Sequence, residues 1–336
     1  MKRMFKPSLL ALALILSVSG CGTNLGHHPN RLTFRADGSF TIVQFTDTHL
    51  HYPDSVDQHT YELMDLVLRL ERPDLIVLTG DIARLTDEPE SKPTWPMLVN
   101  FLDGTGIPWA YVYGNHDAEL SGYARMDSVL GTARHGLYRP GLPGLSSPGN
   151  YVLPVYRHEG KEIGALLWCL NSGMESEESS GYGWVREDQI AWFRAEADRL
   201  MGDRGDKITG LAFFHIPLQQ YRTVWDTQVC TGYKHENVSP QGKDVGLFDA
   251  FRERGRVVAC FVGHDHVNDY EGTLDGVSLC FGRGSGYRAY GREGFQRGAR
   301  VIVLREGQRG YTSHIRLADG SLADRSVHQP GTPDAP

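Results

Sequence analysis

The 336-residue chain has little of what several large protein classes require. Its mean hydropathy is −0.35 and no apolar run approaches the roughly 20 residues of a membrane-spanning helix, which excludes a polytopic membrane protein. It has no basic surplus. Lys and Arg total 34 against 41 Asp and Glu, a net charge of −7, and no block of five like charges occurs. That balance argues against a generic nucleic-acid binder, so no nucleic-acid surface is expected. Cysteine is scarce, at five, and never closely spaced, so neither a disulfide framework nor a thiolate zinc site is indicated. No G-x-S-x-G and no G-x-x-x-x-G-K segment occurs, which removes the nucleophile-elbow and phosphate-loop signatures. Internal repeats and low-complexity tracts are also missing.

What is there is ordinary globular composition, 40% hydrophobic and 22% charged, with 39 Gly, 17 Pro and 14 His. The glycine and proline point to many turns and long loops. At the start, Lys2, Arg3 and Lys6 precede the apolar run SLLALALILSV at 8–18, which stops at Val18-Ser19-Gly20-Cys21. That order resembles a bacterial lipoprotein signal, with Cys21 lipidated as the new N-terminus. The expectation is an exported protein on the periplasmic side or cell surface, held to a membrane by a lipid on Cys21. Residues 1–20 then read as the signal, 21–38 as a tether, 39–318 as one domain and 319–336 as a flexible tail. Cys169, Cys260 and Cys280 sit in apolar runs and read as buried free thiols, with Cys230 unassigned.

Strand candidates are 41–45, 75–78, 109–113, 163–170, 211–214, 257–262, 277–281 and 301–304. Several are apolar on both alternating faces, as strands covered on both sides must be. Between them, Leu63, Leu66, Val67 and Leu70 keep helical spacing, as do Ile190, Phe193, Ala197 and Leu200, with a shorter helix at 246–254. The alternation predicts an α/β layered domain. Two long connections, 120–150 and 171–184, interrupt it and read as functional or mobile loops.

Five strand candidates run straight into chemistry-bearing side chains. TIVQF leads to Asp47 and His49, LIVLT to Gly80-Asp81, WAYVY to Gly114-Asn115-His116-Asp117, LAFF to His215, and VVACFV to Gly263-His264-Asp265-His266. Sites in open α/β sheets form outside the carboxyl ends of strands, so these groups should converge. Side chains two apart on an extended segment point the same way. Asp47 and His49 can therefore address one ion, and so can His264 and His266 if that stretch is extended. Glycine before a ligand lets the backbone turn sharply and approach an ion. Imidazole mixed with carboxylate suits Mn, Fe or Zn, and the ligands are too many for one ion.

The ordered series DTH, GD, GNHD, H and GHDH resembles the calcineurin-like metallophosphoesterases, a branch of the class containing purple acid phosphatases. The resemblance runs roughly over 40–303, with PDLIVLTGDI, FFHIPLQQY, GHDHVNDY and GRGSGYRAYG as finer matches. It implies a four-layer α/β/β/α metallophosphoesterase sandwich as a single domain, with two divalent or trivalent metal ions and a phosphate-ester substrate. By the same resemblance Asp47, His49 and His266 bind the first metal, Asn115, His215 and His264 the second, and Asp81 bridges both. His116 faces the substrate and stabilises charge or protonates the leaving oxygen, Asp117 orients His116, and Asp265 points away. Hydrolysis of phosphomonoesters by a hydroxide generated at the ion pair follows. The rival readings are a phosphodiesterase or nucleotide pyrophosphatase on the same centre, and a non-catalytic surface lipoprotein that only binds. Ile82, Ala83 and Arg84 follow Asp81 where purple acid phosphatases carry a metal-binding tyrosine, so a purple ferric centre is not expected. Arg283 and Arg288, in GRGSGYR, are candidate substrate contacts because arginine matches phosphate geometry. His51, two residues after His49, either points into the site or, as the favoured reading, faces solvent from a loop, and Tyr221 either lines the pocket or packs.

Overall fold

Period-two alternation decides the layering. In β1 (Ser39–Phe45) Phe40 and Ile42 face one way, Val43 and Phe45 the other, and all four are buried. The computed structural model describes residues 31–332 except 177, 179–180 and 203–206. The signal expected at 1–20 and Cys21 lie outside the described residues. No described helix is long and apolar enough to cross a membrane.

After β1 come α1 (Ser55–Glu71), β2 (Leu75–Thr79), α2 (Thr94–Gly104), β3 (Trp109–Val112) and α3 (Tyr123–Leu130). Then follow β4 (Tyr151–Tyr156), β5 (Ile163–Cys169), the short strands β6 (Glu175–Ser176) and β7 (Gly181–Tyr182), α4 (Glu187–Met201) and β8 (Thr209–Phe213). The chain continues through α5 (Gln220–Thr227), β9 (Cys230–Thr231), α6 (Leu247–Arg252), β10 (Ala259–Val262), β11 (Glu271–Leu274) and β12 (Val277–Phe281). It ends with β13 (Gly298–Arg305), β14 (Thr312–Leu317) and β15 (Val327–His328).

Of the two large sheets, one has the order β14-β13-β1-β2-β3 and the other β15-β9-β11-β12-β10-β8-β5-β4, while β6 and β7 pair separately. The centre of each is parallel: β1 with β2 and β3, and β5 with β8, β10 and β12. Phe40, Ile42, Val77, Val112, Leu167, Phe213, Phe261 and Ile302 fill the layer between the sheets. On the outer face of the first sheet, Val43, Phe45, Ile76 and Leu78 pack with α1, α2 and α3. On the outer face of the second, Leu166, Trp168, Phe214 and Val262 pack with α4, α5 and α6. This is the four-layer α/β/β/α sandwich. Two polar clamps cross the middle layer. Gln44 Nε2 donates to Thr79 Oγ1 at 2.8 Å and to the Val262 carbonyl at 3.0 Å. Arg300, 1% exposed, reaches from β13 to the carbonyls of Phe281 and Asp269 and to Glu271 Oε2.

Several expectations are corrected. Within the stretch read as tether, Leu32 and Phe34 are buried, and the Phe34 N–H donates to the Tyr156 carbonyl at 2.9 Å. Within the supposed tail, β15 pairs with β9, and His328 stacks on Trp225 at 3.8 Å. A terminus with an apolar or aromatic anchor and strand pairing does not fray. The α1 stripe is rotated: Thr60, Leu63, Met64, Val67 and Leu68 are buried, while Leu70 is 49% exposed. Polar Thr60 sits on the buried face, so a purely apolar count misplaced it. The connection 120–150 contains α3, and its end is tied down. Asn150 Oδ1 accepts from the Asn171 N–H and from Gln189 Nε2, all three side chains being buried. The four described cysteines are free and buried. Tyr221 packs, its hydroxyl donating to the carbonyls of Cys260 and Cys280.

Candidate metal centre

The parallel strands β1, β2, β3, β8 and β10 deliver their following residues to one end of the sandwich. Two ligand-type groups form there. Asp47, His49 and His266 make the first, and Asp81, His215 and His264 the second, with the ligand atoms of each group within 4.8 Å of one another. Asp81 Oδ2 lies 3.2 Å from His215 Nε2 and 3.7 Å from His49 Nε2, so one carboxylate faces both groups. Asn115 is buried, and its Oδ1 is 3.1 Å from His215 Nε2.

The local backbone accounts for this convergence. Asp47, His49, Asp81 and His264 have φ of 53°, 45°, 53° and 77°, the left-handed region that side chains rarely adopt. Such strain gathers where surrounding structure holds it in place for a purpose. Asp47 and His49 share a group as expected, but the stretch from His264 to His266 is not extended. His264 and His266 fall in different groups, because the turn rotates one side chain away from the other. Gly80, at φ 87°, could not carry a side chain, since a Cβ would lie 2.6 Å from Gly114 Cα and from His215 Nδ1.

Fixed donors hold the carboxylates. Asp47 accepts from the His264 N–H at 3.1 Å and from Thr46 Oγ1 at 2.7 Å. Asp81 Oδ1 accepts from the His116 N–H at 2.9 Å. Burial pushes the Asp47 and Asp81 pKa values up, but the neighbouring histidines outweigh it and hold both carboxyls below their usual range. Burial, aided by His215, drives His264 down to about 3. Burial also lowers His49. Imidazole nitrogens meet at 3.3 Å between His49 and His266, and at 3.2 Å between His264 and His215. His264 Nε2 and His266 Nδ1 are buried without a protein partner. Ionised carboxylates, imidazoles crowded nitrogen to nitrogen and an amide oxygen are the donor set a pair of borderline cations needs, so the residues fit such ions.

Other expectations change. Asp117 does not touch the His116 ring. Its carboxylate accepts from the backbone N–H groups of Gly114, Asp81 and Ile82 at 2.7, 2.9 and 2.8 Å, and so shapes the turn carrying Asp81. The partner of His116 is Glu119, with Nδ1 to Oε2 at 3.0 Å. The i,i+3 spacing of His116 and Glu119 was available in the sequence. Arg283 does not line the cavity beside the two ligand groups. It is buried, gives NH1 to Asp269 Oδ2 and Nε to the Gln296 carbonyl, both at 2.7 Å, and lies over the Phe295 ring. Arg288 does reach the cavity beside the centre, but it donates to Asp57 at 2.9 Å and to Asp54 at 2.6 Å. Asp265 faces away, accepting from the Ser239 N–H, and burial with the Glu236 charge pushes it up to about 8.

Two aromatic neighbours carry no signal in the sequence. Tyr182 meets His264 edge-on at 4.3 Å, and Tyr290 stacks on His266 at 4.1 Å. The Tyr290 hydroxyl donates to Glu236, so it is spent away from the centre. His51, expected to face solvent, lines the cavity with Arg84. That cavity, of about 390 Å³, is also lined by His49, Asp81, His116 and His266.

Comparison with known proteins agrees with this geometry. The probable inactive purple acid phosphatase 29 of Arabidopsis thaliana is 31% identical over 329 residues, covering 85% of this chain and 83% of that protein. Phosphatase DCR2 of Saccharomyces cerevisiae is 29% identical over 291 residues, covering 76% of this chain and 49% of that protein. A dimetal phosphatase structure from Danio rerio superposes with a TM-score of 0.50 at 14% identity, covering 82% of this chain and 98% of that one, a likeness of fold. Residues 40–268 match the calcineurin-like phosphoesterase family, and with two ligand groups meeting at the strand ends, the chain belongs to that family.

Proposed function

We propose that the chain hydrolyses phosphate esters, monoesters foremost, at a pair of metal ions. The observation that carries this reading is Asp81, whose Oδ2 faces His215 in one ligand group and His49 in the other. In this reading Asp47, His49 and His266 hold one ion, Asn115, His215 and His264 the second, and Asp81 both. Manganese, iron and zinc all suit the donor set. Such ions supply charge neutralisation at phosphoryl oxygens and activation of water near neutral pH.

The protein's own groups do the rest. Glu119 holds His116 through Nδ1, which leaves Nε2 to hand a proton to the leaving oxygen. Burial lowers the His116 pKa, while the charges of Asp81 and Glu119 raise it above the ordinary histidine value. Asp117 fixes the turn on which Asp81 sits. Arg288, neutralised by Asp54 and Asp57, braces the cavity rim.

The test is turnover of p-nitrophenyl phosphate and its bis ester by purified protein with Mn, Zn or Fe added, beside Asp81→Asn. Metal-dependent turnover lost in Asp81→Asn is expected, and preference for the bis ester would move the reading to a diesterase. That the Arabidopsis relative is described as probably inactive favours a second reading, binding of phosphate esters without turnover. Metal-dependent phosphate binding with no hydrolysis of either compound would establish it. We further propose export and a lipid on Cys21. Release of Cys21→Ser from membranes supports the anchor, and solubility of both forms refutes it.

A further inference from the structure

The cavity beside the first ligand group contains one cationic side chain that nothing in the site yet uses. Arg84 follows Asp81 by three residues, a chain span of at most about 10 Å, and its side chain lines the same cavity as His49, His116 and Asp81. Arg288, which shares that lining, is ion-paired with Asp54 and Asp57. Arg84 forms no ion pair among the described residues. Its NH1 donates to His51 Nε2 at 3.3 Å, and its Nε is buried without a partner. Guanidinium is a permanent donor, so the His51 nitrogen it meets must be the unprotonated acceptor.

The support for this pair is rigid. The Arg84 N–H donates to the Leu50 carbonyl at 2.9 Å, and Trp95 Nε1 donates to the Ala83 carbonyl at 2.9 Å. On the other side the His51 N–H donates to Asp57 Oδ2 at 2.8 Å, Thr94 Oγ1 donates to the His51 carbonyl at 2.9 Å, and the ring stacks on Tyr52 at 3.8 Å. Both backbones are pinned, and one edge of the guanidinium is aimed by a histidine. A half-buried arginine with spare donors is matched by an anion, because the planar fork fits carboxylate and phosphoryl oxygens two at a time.

We propose that Arg84, aimed by His51, is a specificity-determining residue that binds a second anionic group of the substrate. Preferred substrates are then phosphate esters bearing a further phosphoryl or carboxylate group beside the scissile phosphate. The inference rests on the hydrolase reading above and narrows it. Without Arg84, this cavity would offer a second anion no cationic side chain that lacks a carboxylate partner.

Binding separates the alternatives without turnover. Methylphosphonate carries no second anion, phosphonoacetate adds a carboxylate, and methylenediphosphonate adds a phosphoryl group. Calorimetry on the manganese-loaded full chain, with manganese in excess, should give at least about tenfold tighter binding of one or both of the latter pair, the value of one charge-assisted contact. Which compound gains identifies the group. Arg84→Ala should erase the gain and leave methylphosphonate within about threefold of wild type, and Arg84→Lys should keep part of it. Equal weakening of all three ligands in Arg84→Ala, or no preference in wild type, overturns the proposal. Wild type that turns over p-nitrophenyl phosphate yet shows no preference overturns this inference alone. Wild type that binds none of the three and turns over nothing overturns the hydrolase reading and this inference with it.

Discussion

Replacing Asp117 tests the whole account of the centre, because two readings of that residue predict different damage. Its carboxylate is 2% exposed and accepts three backbone N–H groups. Two of them, from Gly114 and Asp81, go to Oδ2, and the third, from Ile82, goes to Oδ1. In Asp117→Asn the amide oxygen can keep the Oδ2 pair, but the NH₂ group then faces the Ile82 N–H donor to donor. One buried donor is left unsatisfied, which costs roughly 1–3 kcal/mol. Asp117→Ala strands all three, and even with partial relaxation the loss is about 3–6 kcal/mol, a large share of a typical domain's 5–15 kcal/mol. Denaturant unfolding of the metal-free protein measures this, with wild type, Asn and Ala ranked in that order. Metal affinity should weaken in parallel, since the turn that loosens carries Asp81. If Asp117 instead oriented His116, the Asn variant would keep its stability within about 0.5 kcal/mol and lose activity selectively on substrates with poor leaving groups. That result would refute the reasoning.

The selective loss belongs to Glu119. Glu119→Gln should slow an alkyl phosphate roughly tenfold while changing p-nitrophenyl phosphate by less than about threefold, because nitrophenolate leaves without a proton. Gly114→Ala puts a methyl group onto Asp81 Oδ1 and its N–H, and metal binding by titration should fall at least about a hundredfold with the fold retained. Glu271 contributes an acid-dependent term. Burial raises its pKa, but Arg300 and Arg325 hold it below the ordinary 4.5, so its stabilisation is present above that value and lost as pH falls through the lowered one. Glu271→Gln should therefore be less stable than wild type at pH 7, with the gap closing under acid unfolding.

The strand ends announced the site before any coordinates did, and the reason is physical. Apolar runs buried on both faces are unmistakable, and a polar residue directly after one must sit at a sheet edge, so Asp47, Asp81, Asn115, His215 and His264 could be read in place. What could not be read was direction. His264 and His266 part company because φ at His264 is positive, and no composition rule assigns that to a histidine. Asp117 and Arg283 look like chemistry in one dimension, yet their partners, three backbone N–H groups and Asp269, come from packing. The buried tether and the paired C-terminal strand escaped notice for the same reason. Leu32 and Phe34 in a polar stretch, or His328 in a polar tail, are weak signals until the Tyr156 backbone and the Trp225 ring are seen to hold them.

The two ligand groups each draw on both sheets. Asp47 and His49 follow β1 while His266 follows β10, and Asp81 follows β2 while His215 and His264 follow β8 and β10. His49 and His266 are 217 positions apart in the chain. In the proposed reading, a nascent or truncated chain that ends before β8 therefore owns four of the seven candidate ligands and neither complete group. In that reading, capacity to bind the ions would arrive late, only when the second sheet has closed on the first. Metal occupancy would then work as a cross-tie between the halves. It would add stability to the closed sandwich alone and report, by its presence, that folding is finished.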